Sequence, residues 1–183
     1  MTRVPNLTLE ELSPEQRRIH DDIAAGRDRV GGPFAIWLRL PRIADTANQF
    51  GNALRRDSTI DKRLFELMVL VVAQHWNAQY EWFTHEKAAR KVGMTDAMIE
   101  SLRAGERPAS MSDDEALIYD ITNELMQRKR LSDATYQRGL KGLGLDKLIE
   151  FTTAVSFYTA VAVMLNGFDV PTPDSSVPLP PRS

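Results

Sequence analysis

The chain has 183 residues, with 23 lysines and arginines against 25 aspartates and glutamates, and it contains no cysteine. The formal net charge of −2 gives no electrostatic reason to expect a nucleic acid or an anionic membrane as partner. Without cysteine, the chain has no disulfide, zinc–thiolate site or iron–sulfur cluster, and no thiol-based redox chemistry.

The N-terminal segment gives no indication of secretion. Met1 to Leu12 has no apolar core of signal-peptide length. The longest uninterrupted apolar stretch, Leu67–Ala73, is too short to span a bilayer. We therefore expect a cytoplasmic protein without a membrane partner. The length suits a single domain, which we place at residues 1–170, followed by a proline-rich extended tail at 171–183 that drapes over the body or a neighbouring subunit.

Helix start and stop signals succeed one another along the chain. Ser13, with Pro14 and Gln16 after it, has the spacing of a capping box, and Gly26 is the predicted end of that helix. A short helix is expected from Thr95 to Gly105. Further predicted start signals are Ser58–Asp61, Ser112, Ser132 and Asp146.

Two of the predicted helices are more apolar than a surface helix needs to be. Residues Leu64–Ala73 are apolar almost all round, and Phe151–Leu165 are nearly so. No period-2 strand pattern is evident, so the sequence predicts an all-α domain of about six to eight helices. Two such apolar helices in a small domain also favour burial against a second copy of the chain, and we expect a homo-oligomer.

Ionisable residues concentrate in and just after the first apolar helix. Glu66 lies within apolar sequence, so its carboxylate must be hydrogen-bonded, paired or neutral if it is buried. Glu81 and His85 are four residues apart and share one face of a helix, where a carboxylate can fix the tautomer of an imidazole. Tyr80 and Trp82 are candidates for the wall of a pocket. Each feature also has an ordinary explanation: a structural partner for Glu66, a surface Glu–His pair, and aromatic core packing.

No metal site is predicted. His75 and His85 are ten positions apart, about 280° around an ideal helix, so they do not share a face. Neither a His-x-x-x-His nor a Glu-x-x-His pair is present. We therefore expect neither a metal nor another cofactor.

The residues just described resemble the carboxymuconolactone decarboxylase family, which belongs to the same superfamily as the alkylhydroperoxidase D-like proteins. The resemblance is carried by Glu66, the apolar run after it, the segment Gln79–His85, and Ala88 with Gly93 five residues later. Supporting stretches, which extend the resemblance from about Gly31 to Pro171, are Gly32–Phe34, Leu40–Pro41, Phe157–Tyr158 and Leu165–Pro171.

The resemblance implies an all-α orthogonal bundle that assembles as trimers or hexamers. It also implies that Glu66 and His85 occupy the positions of the Glu and His in the peroxidase active site. The two cysteine positions of that site fall on Ala78 and Glu81 here. Because a thiolate is the nucleophile in thiol peroxidases, we do not expect peroxide reduction at this site.

In the decarboxylase branch, the implied reaction is loss of carbon dioxide from a small carboxylated lactone or enol, with protonation of the product. His85 is then the candidate general acid/base, Glu81 orients it or relays a proton, and Glu66 is a buried relay carboxylate. Tyr80, Trp82 and His75 are weaker candidates for the substrate pocket, and Arg39 or Arg42 for contact with a substrate carboxylate. Two alternatives remain open: dehydration, isomerisation or hydrolysis of another small molecule in the same pocket, or a non-catalytic binding or scaffold protein.

Overall fold

Nine helices and no strand lie within residues 2–25 and 29–181, which are the residues described by the computed structural model. The predicted all-helical bundle is confirmed, and the count exceeds the expected six to eight partly because α2 is a helix of only five residues. The helices are α1 (Pro14–Ala24), α2 (Pro33–Trp37), α3 (Pro41–Arg56), α4 (Lys62–Trp76), α5 (Gln79–Lys91), α6 (Asp96–Arg103), α7 (Asp113–Arg128), α8 (Asp133–Leu143) and α9 (Leu145–Gly167).

Four helix starts lie where the capping signals predicted them. Ser13 and Ser112 form complete capping boxes, each with a reciprocal bond to the side chain three residues later. Thr95 and Ser132 each accept a bond from a backbone N–H of the first turn. Gly26, the predicted end of the first helix, lies outside the described residues.

Two predicted starts need adjustment. Within Ser58–Asp61 the capping residue is Asp61, whose carboxylate accepts from the backbone N–H groups of Arg63 and Leu64. The last helix begins at Leu145, directly after Gly144, so Asp146 is in its first turn rather than at its cap. Gly144 has φ +76°, a backbone conformation that few other residues adopt, and this turn separates α8 from α9.

Helix α4 is the centre of the bundle. It packs against α5, α6, α7 and α9, and every residue of Leu67–Ala73 is buried. A helix with no polar side over these seven residues needs such neighbours all round, because each exposed apolar side chain would forgo about 1.5–3 kcal/mol of transfer free energy. The apolar run of this helix is therefore buried by neighbouring helices of the same chain.

Helix α9 is the longest element and contacts α2, α3, α4, α5 and α8. By length and composition it is long enough and apolar enough to cross a membrane, although half of its most apolar window is buried inside the fold. The central helix of a water-soluble bundle has the same features. One such helix is weak support for a membrane role, and the expectation of no membrane partner stays a prediction.

The connection between α4 and α5 is a turn of two residues. Asn77 adopts the left-handed conformation (φ 50°, ψ 40°), and Ala78, fully buried, donates its N–H to the carbonyl of Ala73. From the C-terminal end of α9, the Asn166 side chain donates to the Trp76 carbonyl at 2.7 Å. This turn sets the packing of α4 against α5, and thereby the approach of Glu66 to His85.

The tail that follows α9 has neither helix nor strand in its described part, which ends at residue 181. Thr172 and Leu179 are buried, whereas the residues between them are exposed except for the half-buried Pro178. The tail therefore crosses the surface of the body and returns to the α4–α5 turn, where Asn77 and Gln79 donate hydrogen bonds to its carbonyl groups.

Candidate active site

Three helices bring the candidate site together. Helix α4 supplies Glu66 near its N-terminal end, α5 supplies Glu81 and His85 from its first two turns, and α9 supplies Tyr158. Glu81 and His85 are both buried, so the face that their spacing predicted is the one that α5 turns into the protein.

The central contact joins His85 to Glu66. The Nδ1 atom of His85 lies 2.7 Å from Oε2 of Glu66. Since a carboxylate accepts, the Nδ1 proton is donated to Glu66, and Nε2 is left as the basic nitrogen of the neutral ring. His85 is 6% exposed, and the Glu66 side chain is 13% exposed. The pair is thus nearly sheltered from water.

This contact corrects one of the two roles expected of Glu81, the orientation of His85, and leaves the proton relay as a prediction. The spacing of four residues places Glu81 and His85 on one face, but His85 is oriented by Glu66, nineteen positions earlier. Neither carboxylate oxygen of Glu81 has a hydrogen-bond partner among the described residues. The packing of α4 against α5 brings Glu66 to the imidazole and so determines the pair.

Within the described part of the chain, Glu81 is a buried acid without a counter-charge. The residue is 2% exposed, and burial raises the pKa of its carboxyl well above the usual range of a glutamate. Its place in the first turn of α5 favours the anion through the helix dipole, but this effect is small beside the cost of desolvation. Burial therefore favours a protonated Glu81, which has a proton to donate.

Tyr158 is a site neighbour that the sequence did not identify. Its ring meets the imidazole of His85 edge to face, with centroids 5.1 Å apart and planes at 90°. The Phe65 ring also meets that tyrosine edge to face, with centroids 5.5 Å apart. The Phe157–Tyr158 pair formed part of the family resemblance, but contact across 73 residues of sequence follows only from the packing of α9 on α5.

The two aromatic residues proposed for the pocket wall face elsewhere. Trp82 is fully buried in the core, and its Nε1 donates to Glu86 at 2.7 Å. Tyr80 is half-buried, and its hydroxyl accepts from Arg29 at 2.6 Å. Its ring packs so closely on Gly32 (φ +59°) that a Cβ atom there would lie 2.6 Å from the tyrosine Cε1. Both residues fix α5 to its surroundings.

His75 lies apart from the pair. It is nine residues after Glu66 on α4, about 13 Å along the helix axis. Its Nε2 is 3.5 Å from the Nζ of Lys129, and its ring meets that of Trp76. Within residues 2–25 and 29–181, no group of three or more His, Asp or Glu side chains is placed to hold a metal ion. The expectation of a metal-free site stays a prediction.

The two candidate arginines also lie on other surfaces. Arg39 donates to the carbonyl of Pro5 at 2.6 Å. Arg42 lines an open groove of about 460 Å³ between α3 and α9, which has aromatic walls formed by Trp37, Phe50 and Phe157. A second groove of about 350 Å³ lies between α8 and α9. Neither groove is lined by Glu66, Glu81 or His85.

Known proteins similar to this chain share its fold more clearly than its sequence. Residues 41–119 match the model of the carboxymuconolactone decarboxylase family. A structure described as an alkylhydroperoxidase AhpD core, an uncharacterized peroxidase-related protein from Ralstonia eutropha JMP134, has a TM-score of 0.78 and 14% identity over 98% of each chain. An uncharacterized peroxidase-related protein from Silicibacter sp. TM1040 has a TM-score of 0.77 and 13% identity, over 92% of this chain and 90% of its own. No curated protein matches the chain.

These similarities differ in what they establish. At 13–14% identity the solved structures establish the fold, and their peroxidase-related descriptions apply to those proteins. The family match includes Glu66, Glu81 and His85, so the resemblance drawn from those residues is confirmed. Residues 41–119 are thus similar to the carboxymuconolactone decarboxylase family, and the chain has an all-helical alkylhydroperoxidase D-like fold without cysteine.

Proposed function

We propose that the protein is a lyase that decarboxylates a small carboxylated lactone or enol by acid–base chemistry without a cofactor. The single observation that supports this best is the combination of the hydrogen-bonded His85–Glu66 pair with a buried Glu81, without a hydrogen-bond partner among the described residues, on the same face of α5 as His85. A carboxylate bonded to an imidazole beside a buried carboxyl whose pKa is raised by desolvation is an arrangement expected of separate positioning and proton-donating roles.

The three side chains take distinct roles in this proposal. Glu66 accepts the Nδ1 proton of His85 and holds the ring, so that Nε2 accepts and returns a proton at the substrate. Glu81, protonated through burial, is the second proton donor and stabilises negative charge that develops on an enolate oxygen. This arrangement exchanges the roles that the sequence suggested for the two glutamates.

The proposed reaction consumes one proton for each molecule of carbon dioxide released. The bond between the carboxylate carbon and the ring breaks, its electron pair passes into an enolate, and carbon dioxide leaves. A proton from His85 or Glu81 then adds to the ring carbon, and solvent restores it to the protein. An apolar, nearly dry site favours the first step, because the carboxylate loses its charge as carbon dioxide forms.

The decisive experiment is incubation with carboxymuconolactone, followed by measurement of carbon dioxide release. We expect His85→Ala to lower the turnover number by about 10²–10⁴-fold, the usual contribution of a positioned acid–base group. His75→Ala is the matched control, since it removes an imidazole from α4 that lies about 13 Å along the helix from Glu66.

Two results would contradict the proposal. One is an inactive wild-type protein that holds its fold, which would redirect the search to dehydration, isomerisation or hydrolysis. The other is a His85→Ala variant that retains full activity. If His85→Ala unfolds while Glu66→Gln remains folded and active, the histidine is a structural core residue.

We also propose that the protein is a homo-oligomer that buries the outer faces of α3 and α9. Side chains on these faces are apolar yet exposed, and the groove between the two helices is lined mostly by apolar and aromatic groups. The exposed residues are Ile43, Phe50, Ile149 and Val163. Phe50→Glu should then lower the assembly state measured by light scattering, whereas Val177→Glu, an exposed change in the tail, should not. A wild-type protein that is monomeric at micromolar concentration would contradict the assembly.

A further inference from the structure

The C-terminal tail is held by three side chains from three different helical elements. Asn77 follows α4, Gln79 opens α5, and Arg103 ends α6; we call these residues the tail groove. Asn77 donates to the carbonyl of Pro180 at 2.8 Å, and Arg103 donates to the carbonyl of Pro178. Gln79 makes two bonds to Leu179, which are described next.

The tail groove satisfies every backbone polar group of Pro178–Pro180. The side-chain Oε1 of Gln79 accepts from the backbone N–H of Leu179 at 2.8 Å, and the side-chain Nε2 of Gln79 donates to the backbone carbonyl of Leu179 at 3.2 Å. The two prolines have no N–H, so the segment offers three acceptors and one donor, and all four are bonded. Prolines also restrict the free segment, which lowers the entropy lost on binding.

Side-chain recognition comes from Leu179. It is 1% exposed and belongs to the main apolar core, although residues 173–177 before it and residues 180–181 after it are exposed. Burying a leucine side chain contributes about 1.5–3 kcal/mol. Because the exposed linker adds few buried contacts, the segment is attached at essentially one point, which is typical of a region that opens locally.

The tail groove is itself held in position. Arg103 pairs with Glu86 at 2.9 Å and stacks over the ring of Trp82. The side-chain Nε2 of Gln79 also donates to Oδ1 of Asn77 at 2.7 Å. The groove residues therefore bond one another and the core, as in a binding site whose side chains are oriented before the ligand arrives.

The groove also flanks the turn that sets the candidate active site. Asn77 and Gln79 lie on either side of Ala78, where α4 passes into α5. A tail bound to both residues restrains the angle between the helix that carries Glu66 and the helix that carries His85.

We propose that the tail groove is a peptide-recognition site for a proline-flanked leucine, and that its ligand is the chain's own segment Pro178–Pro180. This segment dissociates from the groove and rebinds as a unit, and while it is bound it stabilises the α4–α5 turn. The proposal concerns binding and local stability, so it stands or falls independently of the decarboxylase activity.

The first test measures binding in trans. A fluorescent synthetic peptide of residues 173–181 is titrated into the full-length wild type, into Leu179→Asp, and into the control Val177→Asp. In the wild type and the control, the attached tail competes at an effective concentration of the order of millimolar. We therefore expect the peptide to bind Leu179→Asp at least about tenfold more tightly than either, and a peptide with Asp at position 179 not to bind. Equal affinity for all three proteins would overturn the recognition site.

The second test measures whether the bound tail stabilises the α4–α5 turn. Amide hydrogen exchange at Asn77, Ala78 and Trp82 is compared in the wild type, Gln79→Ala and Val177→Asp. Gln79→Ala removes two bonds to the tail and one to the Asn77 side chain but leaves Leu179 in place, so it remains informative if Leu179→Asp fails to fold. We expect exchange at these amides to be at least about tenfold faster in Gln79→Ala and unchanged in Val177→Asp. Unaltered exchange in Gln79→Ala would overturn the link between tail and turn.

Discussion

Helix α5 carries two carboxylates, five residues apart, in opposite circumstances. Glu86 accepts from the Trp82 indole at 2.7 Å and pairs with Arg90 and Arg103, both at 2.9 Å. Partial burial alone would raise the pKa of Glu86, but its bonds to Arg90, Trp82 and Arg103 hold that pKa below the usual value. Glu81 has no such partner in residues 2–25 and 29–181, and burial raises its pKa.

The difference separates a structural carboxylate from a chemical one. A paired carboxylate such as Glu86 ties α5 to α6 and loses its proton readily, so it contributes stability and orientation. An unpaired buried carboxyl such as Glu81 costs stability, and proteins retain such groups chiefly at functional sites. The two faces of one helix thus predict two different mutational phenotypes.

The largest expected effect falls on the unpaired face. Glu81→Gln retains the shape of the side chain but removes the proton that it donates. We expect the turnover number for carbon dioxide release to fall about 100-fold, equivalent to about 2.7 kcal/mol, without a lower melting temperature. Steady-state kinetics and calorimetry on the same preparation measure both quantities, with the exposed Glu106→Gln as control. Unchanged turnover would remove Glu81 from the proposed mechanism.

Substitution of Glu86, on the face of α5 where the carboxylate is paired, should lower the stability of the fold. Glu86→Ala leaves the Trp82 indole without its acceptor and removes the less exposed of the two carboxylates that pair with Arg103, so we expect the free energy of unfolding to fall by about 2–3 kcal/mol. Glu100→Ala also removes a carboxylate bonded to Arg103, but an exposed one, and should cost no more than about 0.5 kcal/mol. Denaturant titration distinguishes the two, and equal losses would show that Glu86 is merely a surface partner.

Local patterns predicted the elements of this fold well. Ser13, Ser112, Thr95 and Ser132 cap helices because a hydroxyl followed by free backbone N–H groups is a property of a few adjacent residues. The burial of Leu67–Ala73 followed from its composition in the same way. The face shared by Glu81 and His85 followed from the helical period alone.

Local sequence patterns do not predict which residues from distant segments come into contact. The partner of His85 is Glu66 rather than Glu81, because the packing of α4 on α5, and not the helical period, decides which carboxylate reaches Nδ1. Tyr158 meets His85 from a helix 73 residues later, and the tail returns to Gln79 across 100 residues. Trp82 and Tyr80 were assigned to a pocket because their sequence position does not show which way α5 is turned.

A third prediction uses the ionisation of Glu81. Because its pKa is higher in the folded than in the unfolded protein, the folded state binds more protons once the pH exceeds the unfolded value of about 4.3. Stability then decreases as the pH rises, by about 1.4 kcal/mol per pH unit for one proton, until the folded pKa is reached. In Glu81→Gln this contribution is absent. Unfolding titrations at several pH values should therefore diverge between the two proteins, and parallel curves would contradict a neutral buried Glu81.

The smallest effect is expected at Tyr80, at the edge of the same helix. Tyr80→Phe removes one hydrogen bond from Arg29 at an exposed position, so we expect a loss of less than about 1 kcal/mol in the free energy of unfolding. The ring itself, which packs on Gly32, is retained. The Michaelis constant of Tyr80→Phe, measured alongside, distinguishes a structural role of the Tyr80 hydroxyl from contact with the substrate. A tenfold rise would require the hydroxyl to contact the substrate, as the sequence suggested, because a distant hydrogen bond to the N-terminal segment cannot weaken substrate binding selectively.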